Sequence, residues 1–71
     1  MTALLETTLM RAGHIRVFEV SRAAVAGWEV SERDDHRVTH QHYSDWHRVE
    51  YALTQLTAMI TELRKEGWTE A

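Results

Sequence analysis

The stretch from residue 45 to residue 68 reads DWHRVEYALTQLTAMITELRKEGW and predicts a long amphipathic helix. Its apolar residues recur at steps of three and four, which places them on one face of a helix. The members of this apolar stripe are Trp46, Val49, Leu53, Leu56, Ile60 and Leu63. Such a face is stable only when it packs against another apolar surface.

The two ends of this predicted helix carry signals of their own. Ser44 or Asp45 can accept a hydrogen bond from a free backbone N–H of the first turn. Gly67 suits the left-handed conformation that ends many helices, and Trp68 follows at the position that packs against Leu63 in a Schellman motif. The periodicity, the start and the stop therefore agree on a helix over residues 45–66.

Strands are predicted upstream of the helix. The segments rich in β-branched and aromatic residues, or with alternating polarity, are 14–21, 28–33 and 37–43. The first has apolar residues on both faces, which predicts a central strand or a strand at a subunit contact. Asp34-Asp35 predicts a turn, and short connections of this kind favour an antiparallel meander.

The predicted fold is α+β, a three-stranded antiparallel meander followed by one long C-terminal helix in the order β-β-β-α. Residues 14–71 form the single domain on this interpretation. Residues 1–13 are interpreted as an N-terminal extension or a short helix, in which Thr2 caps the start and Leu5 and Leu9 share a face. The alternative is that the domain begins near Met10 and residues 1–9 are disordered.

Composition excludes several classes of protein. The 71 residues include no cysteine, which excludes disulfides, thiolate metal sites and cysteine nucleophiles. Eight basic and eleven acidic residues give a formal charge of −3, and no segment has the excess of Lys and Arg that phosphate neutralisation needs. No apolar run approaches the roughly 20 residues of a membrane span. We therefore expect a cytoplasmic protein that does not bind a membrane.

The dimensions of the predicted elements suggest a homodimer. A helix over residues 45–66 is about 33 Å long, whereas three strands of seven residues form a sheet about 23 Å long and 14 Å wide. Part of the apolar stripe would then remain exposed and could pair with a second copy. The predicted interface residues are Val49, Leu53, Leu56, Ile60, Leu63 and Trp68. The alternative is a monomer in which residues 1–12 or the 21–27 connection cover the remainder.

Three histidines form a candidate metal site. His40 and His42 are two residues apart on one predicted strand face, and His47 follows just beyond the strand. Imidazole nitrogens at this spacing can bind zinc or another transition metal. The alternative is that Val38 turns this face toward the interior and that the histidines are ordinary polar residues.

A nucleic-acid surface is a further hypothesis. Arginines beside aromatic residues on a sheet can hold single-stranded nucleic acid by phosphate contact and base stacking. The residues that would do so are Arg16, Arg22, Arg33, Arg37 and Tyr43. Acidic neighbours in the sequence, including Glu19 and Glu32, offer ion pairs as the alternative.

No catalytic or cofactor motif is present in the sequence. There is no Gly-rich phosphate loop and no serine elbow. Acid–base pairs such as His47 with Glu50 arise by chance in a chain of five histidines and eleven carboxylates. The sequence therefore predicts a small non-enzymatic interaction module without a cofactor, which binds a second copy of itself or another protein.

Overall fold

A computed structural model describes residues 3–71, and in this part of the chain one antiparallel sheet packs against one helix. The elements are β1 (Ala3–Arg11), β2 (His14–Arg22), β3 (Trp28–Asp34), β4 (Val38–Tyr43), α1 (Trp46–Lys65) and β5 (Thr69–Glu70). The spatial order of the strands is β4-β3-β2-β1-β5. The predicted α+β class, with a helix after an antiparallel meander, is confirmed, but the described residues form five strands rather than three.

The interpretation of residues 1–13 as an extension or a short helix is wrong for the residues that the structure describes, because Ala3–Arg11 form β1. Ala12 and Gly13, with φ of 51° and 80°, form the tight turn to β2. Positive φ at both positions gives the turn whose twist matches a hairpin. β1 gains a ladder along β2, whereas an isolated helix of this length is marginal. The predicted cap at Thr2 lies outside the described residues.

β2 lies inside the sheet, as its two apolar faces predicted. Phe18 and Val20 are buried beneath α1, while Ile15 and Val17 belong to the opposite face and are half-buried. Pairing of β2 with β1 and with β3 extends this alternation across the sheet. The sheet therefore has one face packed on the helix and one face without a covering layer in the described part of the chain.

Both predicted helix ends are confirmed. The backbone N–H of His47 donates to Oδ1 of Asp45 at 3.0 Å, which makes Asp45 the N-cap. Gly67 adopts a φ of 102°, and the N–H of Trp68 donates to the carbonyl of Leu63 at 3.0 Å in a Schellman motif. This motif reverses the chain, so that β5 reaches the outer edge of β1, where Thr69 pairs with Met10.

The core lies between α1 and one face of the sheet. The buried residues are Leu9, Phe18, Val20, Val30, Val49, Leu56, Ile60 and Leu63. β1 and β2 have nine residues each, about 30 Å at 3.3 Å per residue, and the 20-residue helix is also about 30 Å long. The expected overhang of the helix is therefore wrong, because the unpredicted strand β1 completes a long hairpin beneath it. No helix in residues 3–71 is long and apolar enough to cross a membrane.

The β3–β4 hairpin is held by the carboxylates of Asp34 and Asp35. The backbone N–H groups of His36 and Arg37 donate to Asp34 at 2.8 and 3.0 Å, and these bonds lower the pKa of Asp34. His14 Nδ1 donates to Asp35 at 2.6 Å, and the backbone N–H of Ile15 donates to the same carboxylate. Both bonds lower the pKa of Asp35, and the bond from His14 has the larger effect. Both carboxyl groups stabilise the turn in their charged form.

We predict that alanine is tolerated far less well at Gly27 than at Gly13. Both glycines have positive φ, of 83° and 80°. A Cβ at Gly27 would lie 2.5 Å from the carbonyl oxygen of Tyr43, whereas one at Gly13 would have no atom within 4 Å. Gly13→Ala should cost about 1 kcal/mol through φ alone, and Gly27→Ala roughly 1–3 kcal/mol more through the clash. Urea unfolding of both variants measures the free energy of unfolding. Equal losses of stability in the two variants would contradict the close contact between residue 27 and the carbonyl of Tyr43.

We also predict a specific acid sensitivity at Asp34. The pKa of Asp34 in the folded protein lies below the ordinary 3.8. Its charged form therefore stabilises the fold fully at a pH above 3.8, and this stabilisation is lost as the pH falls through the pKa of the folded state. Asp34→Asn retains an acceptor oxygen but cannot ionise. The stability difference between the native protein and Asp34→Asn should therefore narrow as the pH falls below 3.8. Urea unfolding across this range tests it, and a constant difference would contradict the assignment.

Candidate functional site

The course of α1 across the sheet leaves one corner of the helix-side face uncovered. At the start of the helix Trp46 packs on Trp28 of β3, with ring centroids 5.3 Å apart. At its end Gly67 lies beside the side chain of Arg11 of β1. The helix therefore runs diagonally from β3 to β1. It is about 10 Å wide and cannot cover four strands that span about 19 Å.

A groove of about 520 Å³ occupies this uncovered corner, between α1 and strands β3 and β4. Val30 and Leu56, which are buried, form its floor together with Met59. Tyr43 and Tyr51 stand at its sides, and Tyr51 is 69% exposed. The volume and the apolar floor fall within the range of small-ligand and peptide sites.

Polar side chains border the groove. The hydroxyl of Tyr43 donates to Oε1 of Gln41 at 2.6 Å, which fixes both side chains on the helix side of β4. His47 and Arg48 of the first helical turn line the end nearest the helix start, and Glu32 lines the groove from β3. The carboxylate of Asp45 already accepts from the first turn of α1, so the positive charge at this end of the groove is that of Arg48.

The outer edge of β4 adjoins the groove. β4 is the last strand in the order β4-β3-β2-β1-β5, and no strand of residues 3–71 pairs with its outer side. The backbone N–H of Asp34 donates to the carbonyl of Arg37, so these two residues form a hydrogen-bonded pair. Along β3 and β4, hydrogen-bonded and non-hydrogen-bonded pairs alternate from there. By the alternation of an antiparallel pair, the main-chain groups of Val38, His40 and His42 point away from β3. They form a free row of donors and acceptors beside the groove.

The three predicted metal ligands are not brought together. His40 and His42 lie on the face of the sheet opposite the helix, not toward the interior, and the ring of His42 donates from Nε2 to the carbonyl of Ala26 at 2.7 Å. His47 is exposed on α1, with Nδ1 3.9 Å from Glu50. Within residues 3–71 no three His, Asp or Glu side chains are grouped so as to hold a metal ion.

The residues predicted for nucleic acid do not form one surface. Arg16 lies over the ring of Phe18, with the guanidinium carbon 5.3 Å from the ring centroid. Together with Arg33 and Arg37 it lines a pocket of about 270 Å³ near the β3–β4 turn. Arg22 and Tyr43 lie at the far end of the strands. Glu32 and Asp34 also line the pocket of Arg16 and Arg37, which lowers its attraction for phosphate.

The residues predicted for a dimer interface belong to the core of one chain. Those that are buried are Val49, Leu56, Ile60 and Leu63, and those that are half-buried against the core are Leu53 and Trp68. Their burial removes the reason to place an interface on the helical stripe. Self-association itself stays a prediction.

Of the groove residues, Tyr43, His47 and Leu56 were among the predicted site residues, each for a different function. One signal pointed to Tyr51, because a large aromatic residue lies off the apolar stripe of the helix and so faces solvent. No local signal distinguishes Met59 from the core residues beside it. The groove depends on how the helix crosses the sheet, which spacing along the chain does not reveal.

Comparison of the chain with protein-family models, with curated proteins and with solved structures finds no match.

Proposed function

We propose that this chain is a small non-enzymatic binding module that takes an extended segment of another protein along β4. The observation that supports this most is the position of a free strand edge directly beside an apolar groove. Domains that bind peptides by strand addition combine these two features, because the edge supplies main-chain hydrogen bonds and the groove selects side chains.

The alternation of β4 specifies how such a segment would lie. A new antiparallel strand would pair with the outward main-chain groups of Val38, His40 and His42. Every second side chain of the segment would then lie on the helix side of the extended sheet. On that side it would meet Gln41, Tyr51 and the floor of the groove.

The lining of the groove specifies the chemistry of the segment. Val30, Leu56 and Met59 favour aliphatic or aromatic side chains at alternate positions. Arg48 and His47 favour a carboxylate at the end nearest the helix start. The expected ligand is an extended peptide with two alternate apolar residues and an acidic residue at that end.

Metal binding and nucleic-acid binding have less support. The three histidines are separated between a strand face and the helix. Three of the arginines, Arg16, Arg33 and Arg37, line one pocket, but Glu32 and Asp34 line it too, and Arg22 lies at the other end of β2. No observation on the described residues favours either function over strand addition.

We predict that His40→Pro abolishes peptide binding and that His40→Ala retains it. Proline removes the outward N–H of residue 40, whereas alanine keeps the N–H and removes only the exposed imidazole. Proline is tolerated on an edge strand where the N–H faces solvent, so the fold should persist. Binding of peptides selected from a random display library by the native protein is measured by fluorescence anisotropy, and circular dichroism checks the fold.

Amide hydrogen exchange gives the decisive readout for the same peptides. A bound strand should slow exchange at Val38, His40 and His42 and leave the amides of α1 unchanged. A library that yields no binder, or protection confined to the helix, would refute strand addition. Equal binding by His40→Pro and His40→Ala would also refute it.

We further predict that Tyr51→Ala weakens binding of the selected peptides by about tenfold or more, since exposed aromatic residues contribute much of the energy at interfaces. Tyr51 is 69% exposed, so its replacement should leave unfolding nearly unchanged. Glu62→Ala, an exposed helix position outside the groove, is the matched control and should bind normally. Equal affinities of the two variants would place the ligand elsewhere.

A further inference from the structure

A second pocket, of about 270 Å³, lies on the helix side of the sheet near the β3–β4 turn and is here called the arginine pocket. The charged residues that line it are Arg16, Arg33, Arg37, Glu32 and Asp34. Three positive and two negative side chains give this pocket a formal charge of +1. It adjoins the groove, because Glu32 lines both and because Arg16 donates to Sδ of Met59, in the groove floor, at 3.6 Å.

The positive charges of the arginine pocket are not neutralised by direct ion pairs. Within residues 3–71, none of its three arginines has a carboxylate oxygen within ion-pair distance. The carboxylate of Asp34 instead accepts from the backbone N–H groups of His36 and Arg37. Arg16 is held in place by two uncharged groups, the ring of Phe18 and the sulfur of Met59. The guanidinium groups therefore remain available to an anion from a ligand.

The strand register places the arginine pocket in line with the free edge of β4. Arg16 pairs with Asp34, and Asp34 is hydrogen-bonded to Arg37, so these three residues form one row across the helix-side face. Arg37 is the member of this row nearest the free edge. A strand added antiparallel to β4 runs toward the β3–β4 turn. The ligand residue that faces Arg37 is therefore four positions C-terminal to the one that faces Gln41 in the groove.

We propose that the arginine pocket binds the side-chain carboxylate of a Glu or Asp at this ligand position, with Arg37 as its direct partner. The inference rests on the proposed strand addition and specifies the end of the ligand that lies beyond the groove. The main-chain groups of Arg37 point toward β3, so Arg37 and the facing ligand residue form a non-hydrogen-bonded pair. Side chains approach most closely in such pairs, and a guanidinium can bind a carboxylate through two parallel hydrogen bonds.

The charge and position of the arginine pocket favour a side-chain carboxylate over other anions. Its formal charge of +1 matches one negative charge. A phosphate group would bring close to two negative charges beside Glu32 and Asp34. The terminal carboxylate of a peptide lies in the plane of the sheet, whereas side chains project from it toward the helix side, where this pocket lies.

A double-mutant cycle between protein and peptide tests the direct contact. The peptides are those selected by the native protein, synthesised with an amidated C-terminus, each with a second form in which Gln or Asn replaces the acidic residue. Arg37→Gln should weaken binding of the acidic form by about fivefold, the upper end for an exposed ion pair, and should not change binding of the amide form. This difference should shrink as the salt concentration rises.

Arg11→Gln is the matched control for the loss of one positive charge. Arg11 lies on β1, at the opposite side of the sheet from β4, and lines neither the groove nor the arginine pocket. Binding by this variant should equal that of the native protein for both forms of the peptide.

A variant of Glu32 tests the same pocket with the opposite sign. Glu32→Gln keeps the shape of the side chain and raises the formal charge of the arginine pocket from +1 to +2. It should strengthen binding of the acidic peptide roughly twofold, because it removes a repulsive carboxylate. A gain in affinity cannot result from a damaged fold, so this result would separate an electrostatic role from a structural one. Unchanged binding of the acidic peptide by Glu32→Gln would contradict the assignment.

The outcomes separate this inference from strand addition itself. Equal affinity of the native protein and Arg37→Gln for peptides that protect the amides of Val38, His40 and His42 would overturn the arginine pocket and leave strand addition intact. A library without any binder would overturn both. Binding that requires a free peptide C-terminus, and is indifferent to the acidic side chain, would assign the pocket to the terminal carboxylate and overturn the assignment to a side chain.

Discussion

The packing of α1 diagonally across one face of the sheet is the contact on which the rest of the structure depends. Leu9 and Phe18 from the strands and Val49 from the helix are almost completely buried in it. Each such side chain contributes about 1.5–3 kcal/mol relative to exposure. A chain of 71 residues buries only about 60% of the surface of its unfolded state. Residues 3–71 form a single core cluster, so the helix cannot shift without loss of this packing.

This single contact produces the groove to which we assign function. One helix is half as wide as the sheet, so its diagonal course leaves the corner at Gln41 and Tyr43 uncovered and creates the groove. The same chain has only one helix in its described part, so the opposite face of the sheet has no covering layer. The groove and this uncovered face lie on opposite sides of the sheet.

The two long edge strands, β1 and β4, differ in whether a further segment of the chain pairs with their outer sides. The Schellman motif at Gly67 returns the chain to β1, where β5 pairs with Met10 and the N–H of Ala71 donates to the carbonyl of Thr8 at 3.0 Å. β4 has no such cover among residues 3–71. Its sequence, VTHQHY, contains neither the proline nor the lysine that commonly protects an edge, and its register with β3 contains no bulge. An unprotected edge beside an apolar groove is consistent with a strand that accepts a partner.

Local signals along the chain determined the helix, its caps and three of the strands. The cap at Asp45, the reversal at Gly67 and the alternation of β2 each depend on residues within a few positions, so the residues themselves are sufficient. Histidine spacing did not bring the three predicted metal ligands together, because His40 and His42 lie on the sheet face opposite the helix and His47 lies on α1. Of the groove residues, Tyr43, His47 and Leu56 were named in advance, but each for a different function and none as part of one groove.

Only the tertiary structure decided that residues 3–11 form a strand. Most of the other differences between the predicted and the observed structure follow from this strand. β1 pairs with β2 through the tight turn at Ala12 and Gly13, and with residues 69 and 70 far along the chain, and no local pattern specifies the second pairing. With β1 present, the sheet is long enough to bury the helical stripe and too wide for one helix to cover. The sequence by itself determined which elements can form, because propensity and capping act over short distances. Their pairing determined which surfaces remain free, because hydrogen bonding and burial join residues that are distant in the chain.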